Sequence, residues 1–262
     1  MLSALIFYCL VGSVAGVIAG LFGIGGGVVI VPALMVALTQ QGIDAAVVIH
    51  LAIGTSLAVI TVTGASSAFG HWKQGAIVVE LLKQMLPGLM VGAILGGLIA
   101  GQLQADLLER YFGIFMLLLA IRMLLAKPPK AGRKSASFPA MFGAGTLIGT
   151  FSALFGVGGG VLSVPWLARN GASLARAIGT SAACGLPIAA VGAVTFMMTG
   201  QGQAALPAFS TGYVYWPAFA GIALFSVPCA RGGVWLAHYL PARLLRRLFA
   251  LLMLVVGLTL II

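Results

Sequence analysis

Acidic side chains are nearly absent from this sequence, which has four Asp and Glu in 262 residues and none after Glu109. General acid–base work needs a positioned proton donor and acceptor, and a hard metal ion needs clustered oxygen ligands. No paired carboxylates, no metal-spaced cluster and no nucleophile elbow occur, so the residues offer no catalytic apparatus and an enzyme is not expected. Charge of either sign is scarce, at 7% of residues with 61% hydrophobic, against ~25% charged in a soluble domain. That excludes an ordinary water-soluble fold. Cysteine is scarce too: Cys9, Cys184 and Cys229 are an odd number in apolar surroundings, which fits core residues and not a disulfide framework or a metal site. A basic start is missing from the first apolar run, "MLSALIFYCLVGSVAGVIAG", and a matching segment recurs later, so the run reads as part of the mature fold and not as a secretory signal.

What is present is apolar length. Uncharged runs cover 1–43, 84–105, 135–168 and 177–230, and ~20 apolar residues cross a bilayer as a helix. The chain is therefore multi-pass, with the lipid bilayer as its first partner. Fourteen Lys and Arg give a net charge of +10, but they sit in short connections between apolar pieces, where they act as orientation signals and not as a nucleic-acid surface.

The sequence is written twice. "LFGIGGGVVIVP" from Leu21 returns as "LFGVGGGVLSVP" from Leu154, "AIGTS" from Ala52 returns from Ala177, and "LQADLLERYF" from Leu103 returns as "LPARLLRRLF" from Leu240. The duplication divides the chain into an N-terminal membrane repeat (1–126), a basic linker (127–137) with Lys127, Lys130, Arg133 and Lys134, and a C-terminal membrane repeat (138–262). Each repeat reads as five apolar pieces, in the first at 4–22, 26–39, 45–69, 83–103 and 107–126. The second piece reaches only ~21 Å against a core of ~30 Å. With a glycine turn before it, it forms the returning arm of a broken or re-entrant helix pair.

Loop charge orients the pieces. With the linker cytoplasmic, the connections 71–83, 169–176 and 238–247 carry Lys73, Lys83, Arg169, Arg176, Arg243, Arg246 and Arg247 on the same side. The opposite loops hold Asp44, then Asp106, Glu109 and Arg110, then the uncharged 200–213. Basic residues stay inside only if the second repeat is inverted relative to the first. The expected fold is an all-α polytopic inner-membrane protein of about eight membrane elements in two inverted repeats, each beginning with a broken or re-entrant helix pair.

Glycine permits a tight turn and the close approach of another atom. A helix starting after such a turn, at Val28 or Val161, points its free N–H groups and positive dipole end into the membrane, which is an anion site. Candidate substrate-binding residues are thus Gly25, Gly26 and Gly27 with Gly158, Gly159 and Gly160. The competing reading is close helix packing by small residues. A dinucleotide fingerprint fails, because Val28 and Val161 stand where its last glycine belongs and no strand precedes either turn. Thr55, Ser56, Thr180 and Ser181 of the repeated "GTS" could complete an anion's hydrogen bonds, or bond back to their own helix. Arg231 stands in an apolar piece of a half without carboxylates, and is a ligand for the anion, a snorkelling residue or a partner for Glu80. Arg122, near the linker, reads as snorkelling. His71 and His238 fall at loops and His50 near the start of its helix, as solvated or capping histidines.

The paired "FGIGGGVVIVPAL" and "FGVGGGVLSVPWL", the "AIGTS" after each, "HWKQG" at His71 and "GYV" at Gly212 resemble the sulfite exporter TauE/SafE family of membrane permeases, over essentially the whole chain. The resemblance implies two four-element halves and transport of a small sulfur-containing anion such as sulfite, thiosulfate or an organosulfonate. Alternating access around a central site is the expected mechanism, with a passive anion channel and a non-transporting scaffold or sensor as alternatives. No cofactor or metal is expected, and a homo-oligomer stays open.

Overall fold

The computed structural model of the chain describes residues 2–22, 26–125, 137–236 and 242–261. The first repeat contains α1 (Leu2–Phe22), α2 (Gly27–Gln40), α3 (Ala45–Lys73), α4 (Val79–Gln102) and α5 (Ala105–Leu125). The second contains α6 (Phe138–Leu154), α7 (Gly160–Arg169), α8 (Leu174–Thr199), α9 (Trp216–Leu236) and α10 (Ala242–Thr259). A small hairpin, β1 (Ser210–Thr211) with β2 (Val214–Tyr215), interrupts the helical plan between α8 and α9. The protein is an all-helical polytopic membrane fold, and α3, α4 and α8 are long and apolar enough to cross a membrane. At 14 and 10 residues, α2 and α7 reach only ~21 and ~15 Å, well short of the ~30 Å core.

Helix pairing exposes the symmetry. α1 packs on α9 and α4 on α6, while α3 packs on α8 and α5 on α10. Exchanging the repeats turns the first two pairs into each other and the last two into themselves, which is a two-fold relation. Its direction follows from register: Gly54 of α3 lies against Phe196 of α8, and further along α3 Leu57 lies against Gly192, earlier in α8. The two central helices are antiparallel, so the axis is perpendicular to them and the repeats are inverted, as loop charge predicts.

Most glycines in these pairs serve packing. A Cβ on Gly12 or Gly16 of α1 would meet backbone of Ile222 or Ser226, and the i, i+4 series Gly88, Gly92 and Gly96 of α4 faces the carbonyls of Phe142, Thr146 and Thr150. This is the small-residue approach by which helices associate in lipid, where hydrophobic burial drives nothing.

The expected boundaries shift at the charged ends. α4 begins at Val79, not at 83, and α5 at Ala105, so Glu80, Lys83, Asp106, Glu109 and Arg110 are helical and not loop residues. The physical reason is the macrodipole: Glu80 and Asp106 occupy first turns, where the positive helix end favours an acid. Arg243, Arg246 and Arg247 likewise lie inside α10. Gly25, His238 and nearly all of the linker fall outside the described residues.

Candidate functional site

The two glycine turns adopt one conformation at equivalent places. The residue before α2, Gly26, has φ 76°, and the residue before α7, Gly159, has φ 73°. Both lie in the left-handed region that a side chain disfavours. The first intrahelical bonds of each helix come from Val29 and Ile30 to the Gly26 carbonyl, and from Leu162 and Ser163 to the Gly159 carbonyl. The N–H groups of Gly27, Val28, Gly160 and Val161 are left to face the turn. Pro32 and Pro165, six residues into each helix, lack the N–H that would bond to Val28 and Val161.

The turns meet across the repeats. A Cβ on Gly27 would run into the carbonyl oxygen of Gly156 and lie 2.8 Å from Ile60 Cδ1, and one on Gly156 would lie 2.9 Å from Val31 Cγ2. Ser56 donates its hydroxyl to the same Gly156 carbonyl at 2.9 Å. A carbonyl oxygen of the second repeat is therefore held at the start of α2 of the first. Ser56 is eleven residues into α3, or ~17 Å along a helix, so this contact lies deep within the ~30 Å core.

The "GTS" hydroxyls are engaged by protein. Thr55 Oγ1 accepts from the backbone N–H of Tyr215 at 3.0 Å, and Thr180 Oγ1 accepts from that of Val78 at 2.9 Å. The two bonds are equivalent under the inversion: each threonine holds the connection that enters a helix of the opposite repeat. The neighbouring glycines make room for it, since a Cβ on Gly54 would meet the Tyr213 carbonyl and one on Gly179 would lie 2.5 Å from that of Ala76. Ser181 shares a 2.7 Å hydrogen bond with Ser163, which also donates to the Gly159 carbonyl at 2.9 Å.

Ser152 was not among the residues singled out from sequence, because its repeat partner is Ala19 and duplication gives no signal there. It is 1% exposed and its Oγ has no hydrogen-bond partner. A Cβ on Gly159 would lie 3.3 Å from that oxygen, so the free hydroxyl sits at the start of α7. On α3, Ser67 Oγ and His71 Nε2 are also buried without partners, one turn apart and one turn beyond buried Thr63. This one-sided polar stripe has no counterpart on α8, where Ile188, Gly192 and Phe196 occupy the matching places.

Other expectations are corrected. His71 lies within the last turn of α3, buried, and not in a loop. Of the two readings of His50, capping holds and solvation does not: it is buried, with Nε2 3.1 Å from the carbonyls of both Ala100 and Leu103. Two carbonyls can share only a donor, so this nitrogen carries hydrogen and caps the end of α4. The ring stacks on Tyr213 at 4.8 Å, tying the α3–α4 corner to the opposite repeat. Arg231 is exposed on α9. Among the described residues no Lys, Arg, Asp or Glu is buried. The described polar groups at the glycine turns are backbone dipoles and hydroxyls.

The sulfite exporter TauE/SafE family matches residues 8–260 of the chain. A probable membrane transporter protein of Haemophilus influenzae is 36% identical over 258 residues, covering 98% of each chain. One of Methanocaldococcus jannaschii is 26% identical over 257 residues, covering 95% of this chain and 92% of its own. The Bacillus subtilis probable membrane transporter protein YunE is 32% identical over 173 residues, or 59% of this chain and 63% of its own. No solved structure matches at comparable significance.

Proposed function

The chain belongs to the sulfite exporter TauE/SafE family of membrane transporters, and from that premise we propose that it is an inner-membrane carrier for a small sulfur-containing oxyanion such as sulfite or an organosulfonate. One observation carries the reading: the Gly156 carbonyl oxygen, accepting from Ser56, is seated against Gly27 at the start of α2. A partially negative oxygen occupies the positive end of a helix of the other repeat. In the loaded protein an oxygen of the anion takes that place, and the unpartnered Ser152 hydroxyl with the first N–H groups of α7 receives another. With no Lys or Arg buried among the described residues, the site holds an anion by dipoles, tightly enough to select it and weakly enough to release it on either side. Movement of the inverted repeats about this contact gives alternating access.

Uptake into proteoliposomes tests the proposal. Saturable, self-competed uptake of sulfite, thiosulfate or an organosulfonate is the expected result. Flux that rises linearly with concentration would make the protein a channel, and no flux with any of them would leave a scaffold. Ser152→Ala should weaken binding of the best anion roughly 10- to 150-fold, the value of a hydrogen bond to a charged group at ~1.5–3 kcal/mol. Unchanged affinity would place the anion elsewhere. For orientation, in a background without native cysteines, a cysteine at exposed Ser173 should react only with reagent on the cytoplasmic face, and one at exposed Gln203 only with reagent outside. Labelling of both from one face contradicts the proposed topology.

A further inference from the structure

A cavity of about 270 Å³ opens between α5 of the first repeat and α6 and α7 of the second. Its lining includes Arg122 of α5 and Arg169 of α7, with walls of Leu147, Phe151, Pro165 and Trp166. Both arginines are exposed and line the same cavity. No acid lines the cavity to offset them. Leu147 is 63% and Phe151 44% exposed, so the apolar wall is open sideways, where a membrane protein meets lipid. Two convergent cations over an apolar, laterally open wall suit an oxyanion attached to a hydrocarbon chain better than a small hydrated anion. Sequence reasoning gave Arg122 to snorkelling and Arg169 to loop charge, because their convergence depends on α7 doubling back along α6, seen where Trp166 Nε1 donates to Met141 Sδ at 3.2 Å.

We propose that Arg122 and Arg169 together bind the phosphate headgroup of an anionic membrane phospholipid, whose acyl chain lies along Leu147 and Phe151. The site is separate from the central anion contact and does not rest on it. A guanidinium fork from each of two helices grips one phosphate, and the lipid bridges α5 of the first repeat to the α6–α7 hairpin of the second. Bound lipid therefore restrains the relative position of the repeats.

The test uses the full chain in detergent, with equimolar phosphatidylglycerol and phosphatidylcholine, and reads retained lipid by native mass spectrometry. Wild type should prefer phosphatidylglycerol by about thirtyfold, equal to ~2 kcal/mol at ~1.4 kcal/mol per factor of ten, as two basic side chains at an anionic surface supply. Arg122→Gln with Arg169→Gln should bring the preference to within about twofold, while Arg176→Gln, an exposed arginine outside the cavity lining, should leave it intact. Arg122→Lys with Arg169→Lys keeps the charge and loses the fork, so an intermediate preference is expected, and it serves if the glutamine pair fails to purify. Equal retention of both lipids by wild type overturns the proposal, as does an unchanged preference in the glutamine and lysine pairs. Displacement of the lipid by millimolar inorganic phosphate also overturns it, because the site would then take a free anion.

Discussion

Gly27→Ala is expected to abolish transport, with the protein still inserted in the membrane but less stable. The added methyl would collide with the Gly156 carbonyl and sit 2.8 Å from Ile60 Cδ1. A flexible side chain can move aside, but the carbonyl belongs to a tight turn whose φ of 66° only glycine adopts readily. The repeats must separate at the contact where the proposed carrier holds its anion, so the loss should exceed the ~1–3 kcal/mol usual for overpacking a core. Gly70→Ala is the matched control. Gly70 lies in α3 with nothing within 4 Å of an added Cβ, and alanine there should be neutral or stabilising by up to ~1 kcal/mol. The measurement pairs proteoliposome uptake with the melting temperature of purified protein. Wild-type uptake by Gly27→Ala would show that the contact opens without cost and is not where the anion passes.

The architecture was legible because it follows from composition and repetition. A fourteen-residue piece after a glycine turn cannot span a bilayer, and basic loops cannot stay on one side unless the second repeat inverts; α2 and the antiparallel α3–α8 pair follow from those two statements. The site was legible only in outline. Repetition marked Thr55 and Thr180 but could not tell a ligand from a tether, since both roles preserve a hydroxyl in each copy. The bonds to Tyr215 and Val78 cross 160 and 102 residues of sequence, and no local pattern encodes them. Ser152 was hidden because it breaks the symmetry, and Gly156 because it stands outside the triple glycine that drew attention. Arg231 was left between three roles for a different reason. A lone cation in an apolar run suggests burial, yet the helix turns it outward, where a long stem can reach the interface.

Thr55→Val and Thr180→Val separate tether from ligand, and the tether makes a specific forecast. Valine nearly keeps the shape of threonine and removes the oxygen, so it leaves the N–H of Tyr215 or Val78 without its partner in a partly buried position. An unsatisfied donor costs about 1–3 kcal/mol, and for a chain of this length 1 kcal/mol lowers the melting temperature by roughly 2–4 °C. Each valine variant should therefore melt several degrees below wild type, and Thr55→Ser and Thr180→Ser, which keep the acceptor, should melt close to it. The two bonds hold different connections of the inverted repeats and share no partner, so the double valine variant should show the sum of the two losses. On the tether reading anion affinity should be unchanged in both variants, in contrast to Ser152→Ala, because the bond each threonine accepts from the opposite repeat is then its whole role. Melting curves and equilibrium binding on the same preparations decide the matter. A valine variant that melts like wild type yet loses affinity tenfold or more, ~1.4 kcal/mol, would return that threonine to the anion site and leave the connection to be held by the glycine beside it.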